Sequence, residues 1–277
     1  MNWLTDTKIP VGLWAREIFD WINATFGGVI DTFADGLKDG FEGIVDGLLV
    51  VPPLAMVAIF VAIAWGIQRR WQTPLLVLLG FLFILNQGYW EETIQSLTLV
   101  IMACTACMGI GVPIGIAGAH NPRFYRAIVP VLDLMQTLPT FVYLIPTVVL
   151  FGIGIVPGLI ATVIFVLPAP IRLTYLGISS TPTALVEAAQ AFGATKRQLL
   201  WKVELPSALP QIMAGLNQAI MLSLSMVVIA GLVGANGLGV PVVRALNTVN
   251  TALGFESGFV IVIVAIMLDR TLRVRKK

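Results

Sequence analysis

Residues 134–171 carry no charged side chain, and neither do residues 205–243. At about 1.5 Å per residue, a single helix of either length would greatly overshoot the roughly 30 Å hydrocarbon core of a bilayer. Each run must therefore turn back on itself or leave the membrane partway. The first run has its turn signal at Gly152, Gly154, Pro157 and Gly158. The second has one at Gly231, Gly234, Gly237 and Gly239. Composition closes off a soluble fold: 57% of the 277 residues are hydrophobic, 12% are charged, and the mean hydropathy is +0.91. A soluble domain of that make-up would have too little polar surface to cover itself.

The remaining apolar stretches, read the same way, give an all-α polytopic bundle of about seven spans. They cover about residues 48–68, 73–90, 93–119, 127–151, 158–177, 209–232 and 255–268. Arg69 and Arg70, Arg123 and Arg126, Arg172, Lys196, Arg197 and Lys202, and the cluster from Arg270 to Lys277 all fall at one side of this arrangement. That side is expected to be cytoplasmic. Arg244 is the exception, in a segment through Asn250 that is too polar to span and is read as an outer-side or partly re-entrant helix. The third span contains GIGVPIGIAGA, whose glycines permit close helix contact.

The net charge of +2 hides an asymmetry. Residues 1–47 hold eight acids against three bases, which leaves 17 − 3 = 14 bases and 15 − 8 = 7 acids for the remainder. Trp14, Ile18, Trp21 and Ile22 recur at helical spacing. So do Ile30, Phe33, Leu37, Phe41, Ile44 and Leu48, with Asp31, Asp35, Asp39, Glu42 and Asp46 opposite them. Two amphipathic segments lying in the membrane surface are expected, on the outer side, since a cytoplasmic leaflet attracts lysine and arginine. They serve either as a passive anchor or as a brace for an outside partner. The basic, apolar and small-residue order of a secretory signal is not found at the start.

Little in the chain suggests chemistry. No Gly-Lys dipeptide occurs, so a GxxxxGK[ST] phosphate loop is excluded, and a single histidine, His120, excludes an HExxH zinc helix. No catalytic, metal or cofactor site is expected, and no nucleic-acid partner. Cys104 and Cys107 are read as small packing residues of a helix interface. Asp133 lies inside the fourth span, and an intramembrane carboxylate is either functional or held by a structural partner, here Arg172 or Arg126.

The one long polar interruption between apolar segments is residues 181–206. Its signals are those of two short helices meeting at a glycine. Thr181 is expected to cap the first, with Pro182 at its first position, and Gly193 to close it in the left-handed conformation. Thr195 and Gln198 have capping-box spacing, and Pro206 is expected to stop the second helix. Leu185, Phe192, Leu199 and Leu200 would offer apolar anchors. Helix signals alone leave a solvated connector and a docking element equally open.

The order Glu187-Ala188-Ala189, then Gly193 and Ala194, then Leu205-Pro206, resembles the EAA loop of permease subunits in ATP-binding-cassette importers. The runs DLMQTLPTFVYLIPTVVLFGIGIVPG and LNQAIMLSLSMVVIAGLVGANGLG extend the likeness to permeases of quaternary-amine importers for glycine betaine, proline betaine and choline, over residues 50–270. This resemblance implies a permease domain at 48–277 behind an N-terminal segment at 1–47. It further implies a homodimer in a bacterial inner membrane, an ATPase subunit docked on the loop, and a periplasmic substrate-binding protein. The N-terminus is expected outside and the C-terminus in the cytoplasm. Gln136, Thr137, Pro139, Tyr143 and Asn217 are the candidate path residues. Kinks at Pro139 and Pro146 would free carbonyls that only a protein or cavity surface tolerates. Phe141, Tyr143, Phe151 and Phe165 are candidate faces for a quaternary ammonium. Import of another small solute such as methionine or taurine stays open, as does an ion-driven secondary transporter, although paired inverted repeats and buried coupling carboxylates are not detected.

Overall fold

The computed structural model describes residues 10–272, and every regular element among them is helical. The opening helix, α1 (Val11–Leu49), is a single element of 39 residues, where the sequence suggested two. Helix signals on either side of Gly27 and Gly28 are strong enough to carry the helix through, and a Cβ at Gly28 would meet nothing within 4 Å. Residues 1–9 of the expected amphipathic segment lie outside the described residues, as do the bases of residues 273–277. Near its end α1 docks by Phe41 and Val45, both buried. Farther back, Trp14, Ile18, Trp21 and Val29 stand exposed.

A 101° bend separates α1 from α2 (Pro53–Gln68). Arg69, in the left-handed region at φ 49°, ends α2 and turns the chain into α3 (Gln72–Gln87). Next come α4 (Trp90–His120), α5 (Pro122–Thr137), α6 (Thr140–Phe151), α7 (Ile155–Val166) and α8 (Pro168–Ser179). After the polar interruption the chain runs on through α11 (Leu205–Leu232), α12 (Gly239–Thr248) and α13 (Thr251–Leu272).

The core is built from α4, α7, α8 and α11, which pack on one another, with α2, α3 and α13 forming a layer beside them. Small residues set the spacing of the core helices. A Cβ on Gly111 would come within 2.9 Å of Pro170, and one on Gly115 within 2.7 Å of the Ile171 carbonyl oxygen. The GIGVPIGIAGA stretch is thus where α4 touches α8. Cys104 and Cys107 are buried and unbridged on the same helix. The Cys104 sulfur lies 3.7 Å from Ser223 Oγ and that of Cys107 3.6 Å from the Val163 carbonyl oxygen, as packing residues would be. The mainly acidic stretch of α1 covers the opposite end of the bundle from the 181–206 loop. There Asp35, Glu42, Asp46 and Glu91 line a cavity of 520 Å³ above Gly154 and Pro157.

Among the described residues, four helices or unbroken helix pairs are long and apolar enough to cross a membrane: α4, Ile155–Ser179, Lys196–Leu232 and α13. Counting the bent pairs α1–α2 and α5–α6 as one crossing each brings the number to six. The one expected span left over, 73–90, rests on α3, whose 16 residues fall short of the roughly 20 a bilayer needs. The fourth expected span, 127–151, is not one helix. It breaks by 96° between α5 and α6, because Pro139 cannot donate its missing amide and forces Leu138 into an extended conformation at ψ 135°. Pro139 therefore ends a helix rather than kinking one, whereas Pro146 sits inside α6 without interrupting it. Gly152 and Gly154, at φ 74° and 145°, make the expected turn before α7.

Candidate functional site

The polar interruption folds as α9 (Thr183–Ala191), α10 (Lys196–Leu199) and a five-residue π-helical turn, Leu200–Glu204, that leads straight into α11. Sequence reasoning placed the close of α9 at Gly193 correctly. The Gly193 amide donates to the Gln190 carbonyl at 2.9 Å and the Ala194 amide to that of Ala189 at 3.0 Å, the paired bonds of a Schellman ending. Gly193 holds φ 76° for this, a conformation a β-branched side chain resists. Two residues on, the Gln198 amide donates to Thr195 Oγ1 at 3.3 Å while the Thr195 amide donates to Gln198 Oε1 at 2.8 Å. Both halves of the capping box are present.

Two expectations here need correction. Thr181 does not cap α9, which begins one residue later behind Pro182, and the Thr181 hydroxyl is buried without a hydrogen-bond partner. With φ and ψ near −56° and 127°, Pro182 itself supplies the extended residue a helix start requires. Pro206 does not stop the second helix. The wide π turn places the Leu205 amide on the Leu200 carbonyl, five residues back, and makes room where the proline ring would otherwise meet the carbonyl four residues before it. The helix thus passes through Pro206 and becomes one continuous run, Lys196–Leu232.

Of the four expected anchors, Leu185 is 51% and Phe192 93% exposed. Leu199 and Leu200 are half-buried, and Leu200 packs with Leu205 on Ile178, Ala208 and Ile212. Leu200 therefore fixes the loop to its own bundle. Glu187 and Ala188 are exposed and Ala189 half-buried on α9, while Trp201 stands 63% exposed at the turn. Beside Trp201, an apolar groove of 810 Å³ runs between Val112, Ile116, Leu205 and Leu209.

Four of the candidate path residues lie around the α5–α6 break, and the fifth, Asn217, is on α11. Gln136, Thr137 and Pro139 are exposed around the α5–α6 break. Tyr143 is buried, and its hydroxyl donates to the carbonyl oxygens of Leu134 and Met135 in the last turn of α5. The Met135 carbonyl, whose helical donor would be the amide that Pro139 lacks, thus finds a donor inside the protein. Asn217 lies half-buried on α11 with its Oδ1 enclosed and unpartnered. Among the aromatic candidates, Phe141 is 56% exposed, and the Phe151 ring packs on Phe33 of α1.

Sequence reasoning missed one polar contact altogether. His120 Nε2 lies 2.8 Å from Glu204 Oε2, and Glu204 is buried. The signal was there: a lone acid at the mouth of an apolar span and the chain's single histidine, 84 positions apart. The other cross-helix pair, Arg172 to Asp133 at 2.6 Å, is one of the two partnerships the sequence left open for Asp133.

The chain matches the family of binding-protein-dependent transport system inner membrane components over residues 111–269. It is 48% identical to the glycine betaine transport system permease protein OpuAB of Bacillus subtilis over 273 residues, covering 98% of this chain and 96% of that one. It is 44% identical to the glycine betaine/carnitine transport permease protein GbuB of Listeria monocytogenes, over 95% of this chain and 94% of that one. To the glycine betaine/proline betaine permease protein ProW of Escherichia coli it is also 44% identical, over 95% of this chain and 74% of that one. In fold it is similar to an inward-facing structure of the MetNI methionine ABC transporter, with a TM-score of 0.58 at 24% identity, over 65% of this chain and 93% of that one. The protein is a membrane-embedded transport permease. It belongs to the binding-protein-dependent transport family, among the quaternary-amine permeases.

Proposed function

We propose that the chain is the permease of an ATP-driven importer of glycine betaine-type quaternary amines, working as a homodimer in a bacterial inner membrane. An ATPase subunit docks on the 181–206 helix pair, and an external binding protein delivers the cargo. Nucleotide binding closes the ATPase subunits, the helix pair moves with them, and the path alternates between inward and outward facing. Residues 1–47 lie on the outer side and 48–277 form the permease domain.

The observation that carries this reading is the exposed helix pair, closed at Gly193 and capped at Thr195, that continues unbroken into a membrane-length helix. Such an element has few ties to its own bundle at the tip and a rigid connection to the membrane at its base. Glu187, Ala188, Ala189 and Phe192 give a partner a surface of small and apolar groups to close upon. Identities of 44–48% to three betaine permeases supply the cargo class.

Reversing the charge at the docking face tests the assignment. Glu187→Lys should insert and accumulate normally while uptake of labelled glycine betaine falls about tenfold or more, with a matching loss of co-purified ATPase subunit. Full uptake with full co-purification would reduce the loop to a connector. Orientation is tested separately in a background lacking Cys104 and Cys107. Asp39→Cys should react with a membrane-impermeant thiol reagent on intact cells and Lys196→Cys should not; the reverse pattern overturns the assignment.

A further inference from the structure

Four ion pairs and one histidine–carboxylate contact are formed among the described residues, and three of the ion pairs join neighbours on one helix. The two that cross between helices share a pattern. Arg172 on α8, the helix leading into the 181–206 loop, holds Asp133 of α5 at 2.6 Å. Glu204, in the π turn leading out of the loop, holds His120 at the end of α4 at 2.8 Å. Between them Tyr125 of α5 stacks on Tyr175 of α8, ring centroids 3.4 Å apart and planes within 2°. One arm of the loop is thus tied where α4 passes into α5 at Asn121, whose side chain accepts the Phe124 amide, and the other is tied twelve residues along α5 at Asp133.

That helix is well placed to act. The helix α5 ends at the 96° break before α6, where Gln136, Thr137 and Pro139 are exposed. A displacement of the loop that drags Glu204 and Arg172 must drag the start and the far part of α5 with them or break both contacts. We propose that Glu204 and Arg172 are positioning residues that transmit movement of the loop to α5 and thereby to the α5–α6 break. The inference rests on the reading of 181–206 as the ATPase-docking loop.

The two pairs are not equivalent. The Glu204 side chain is 10% exposed and that of His120 48%, while Arg172 and Asp133 are 37% and 55% exposed. Solvent weakens an exposed pair, and removing the partner of an enclosed carboxylate leaves a charge with nowhere to go. The Glu204 tie is the stiffer one. Its position in a π turn fits the tendency of such turns to mark functional sites.

The experiment uses the complete complex, permease with ATPase subunit and binding protein, in proteoliposomes, and reads ATP hydrolysed per glycine betaine carried. Glu204→Ala should raise that ratio by about fivefold or more, with the ATPase still bound. Arg172→Ala should raise it less. Exchanging the partners, Glu204→His with His120→Glu, should bring the ratio back to within about twofold of the unaltered complex, because the tie is restored with its ends swapped. An unchanged ratio in Glu204→Ala overturns the proposal, as does an exchanged pair that stays uncoupled. Loss of the ATPase from Glu204→Ala would place Glu204 in the docking surface and equally overturn a transmitting role. Failure of the ATPase to bind the unaltered chain is a different result, which removes the docking-loop reading itself.

Discussion

Two glycine turns in this molecule do opposite things. At Gly193 the residue is required by conformation: φ is 76°, and a Cβ there would meet nothing within 4 Å. At Gly239 the requirement is space, since a Cβ would stand 2.2 Å from the Val227 carbonyl oxygen and 2.9 Å from its carbon, both unyielding backbone atoms. The tightly filled turn, Gly231 to Gly239, already has its partner, the end of α11 itself, with the Leu238 amide donating to Ser96 Oγ at 2.8 Å. The open turn has a rigid shape and empty surroundings. A backbone fixed by Schellman and capping-box bonds and open around Gly193 suits the docking role proposed for it.

The largest expected effect lies at the filled turn. Gly239→Ala should cost about 3 kcal/mol or more, because neither neighbouring atom can retreat without unwinding α11. The readout is the yield of monodisperse detergent-extracted protein and its thermal unfolding midpoint; a midpoint within a degree or two of the unaltered chain would show that the turn has slack. Next comes Gly193→Val, at roughly 1–2 kcal/mol of local strain. Here the unfolding midpoint should hardly move while glycine betaine uptake falls steeply, and a variant that loses stability and uptake together would erase the contrast between the turns. Smallest of all is Gly193→Asn, since asparagine tolerates the left-handed region. It should keep most of the uptake that valine loses, and equal losses in both variants would mean that something other than backbone shape is read there.

What was legible in the sequence was local or compositional. The charge-free runs forced turns at Gly152–Gly154 and Gly231–Gly239, and both turns are there. Thr195 and Gln198 form their capping box because the bond partners lie three residues apart and need nothing from the rest of the fold. The glycines of α4 announced a close contact, though not that Thr174 and Ile171 would fill it. Errors arose where one local signal overrode another. Pro182 displaced Thr181 from its cap, and Pro139 broke a helix that hydropathy alone would run through. Glu204 and His120 stayed invisible as a pair, since they stand 84 positions apart with six helices, α5 to α10, between them.

The π turn at Leu200–Glu204 also sets a phase. A turn that holds one residue more than an α turn leaves everything after it about 100° out of step with a wheel drawn from Lys196 onward. The effect can be read beside Ala208, which is fully buried. Trp201, seven residues earlier, would share its side of an unbroken helix but is 63% exposed, whereas Leu200, eight residues earlier, is the one tucked inward. One surplus residue therefore decides which stripe of the sixth span meets α8. Length is the coded quantity in this short stretch: deleting a residue from 200–204 would keep every side chain's chemistry and yet aim the helix pair and the span at different neighbours.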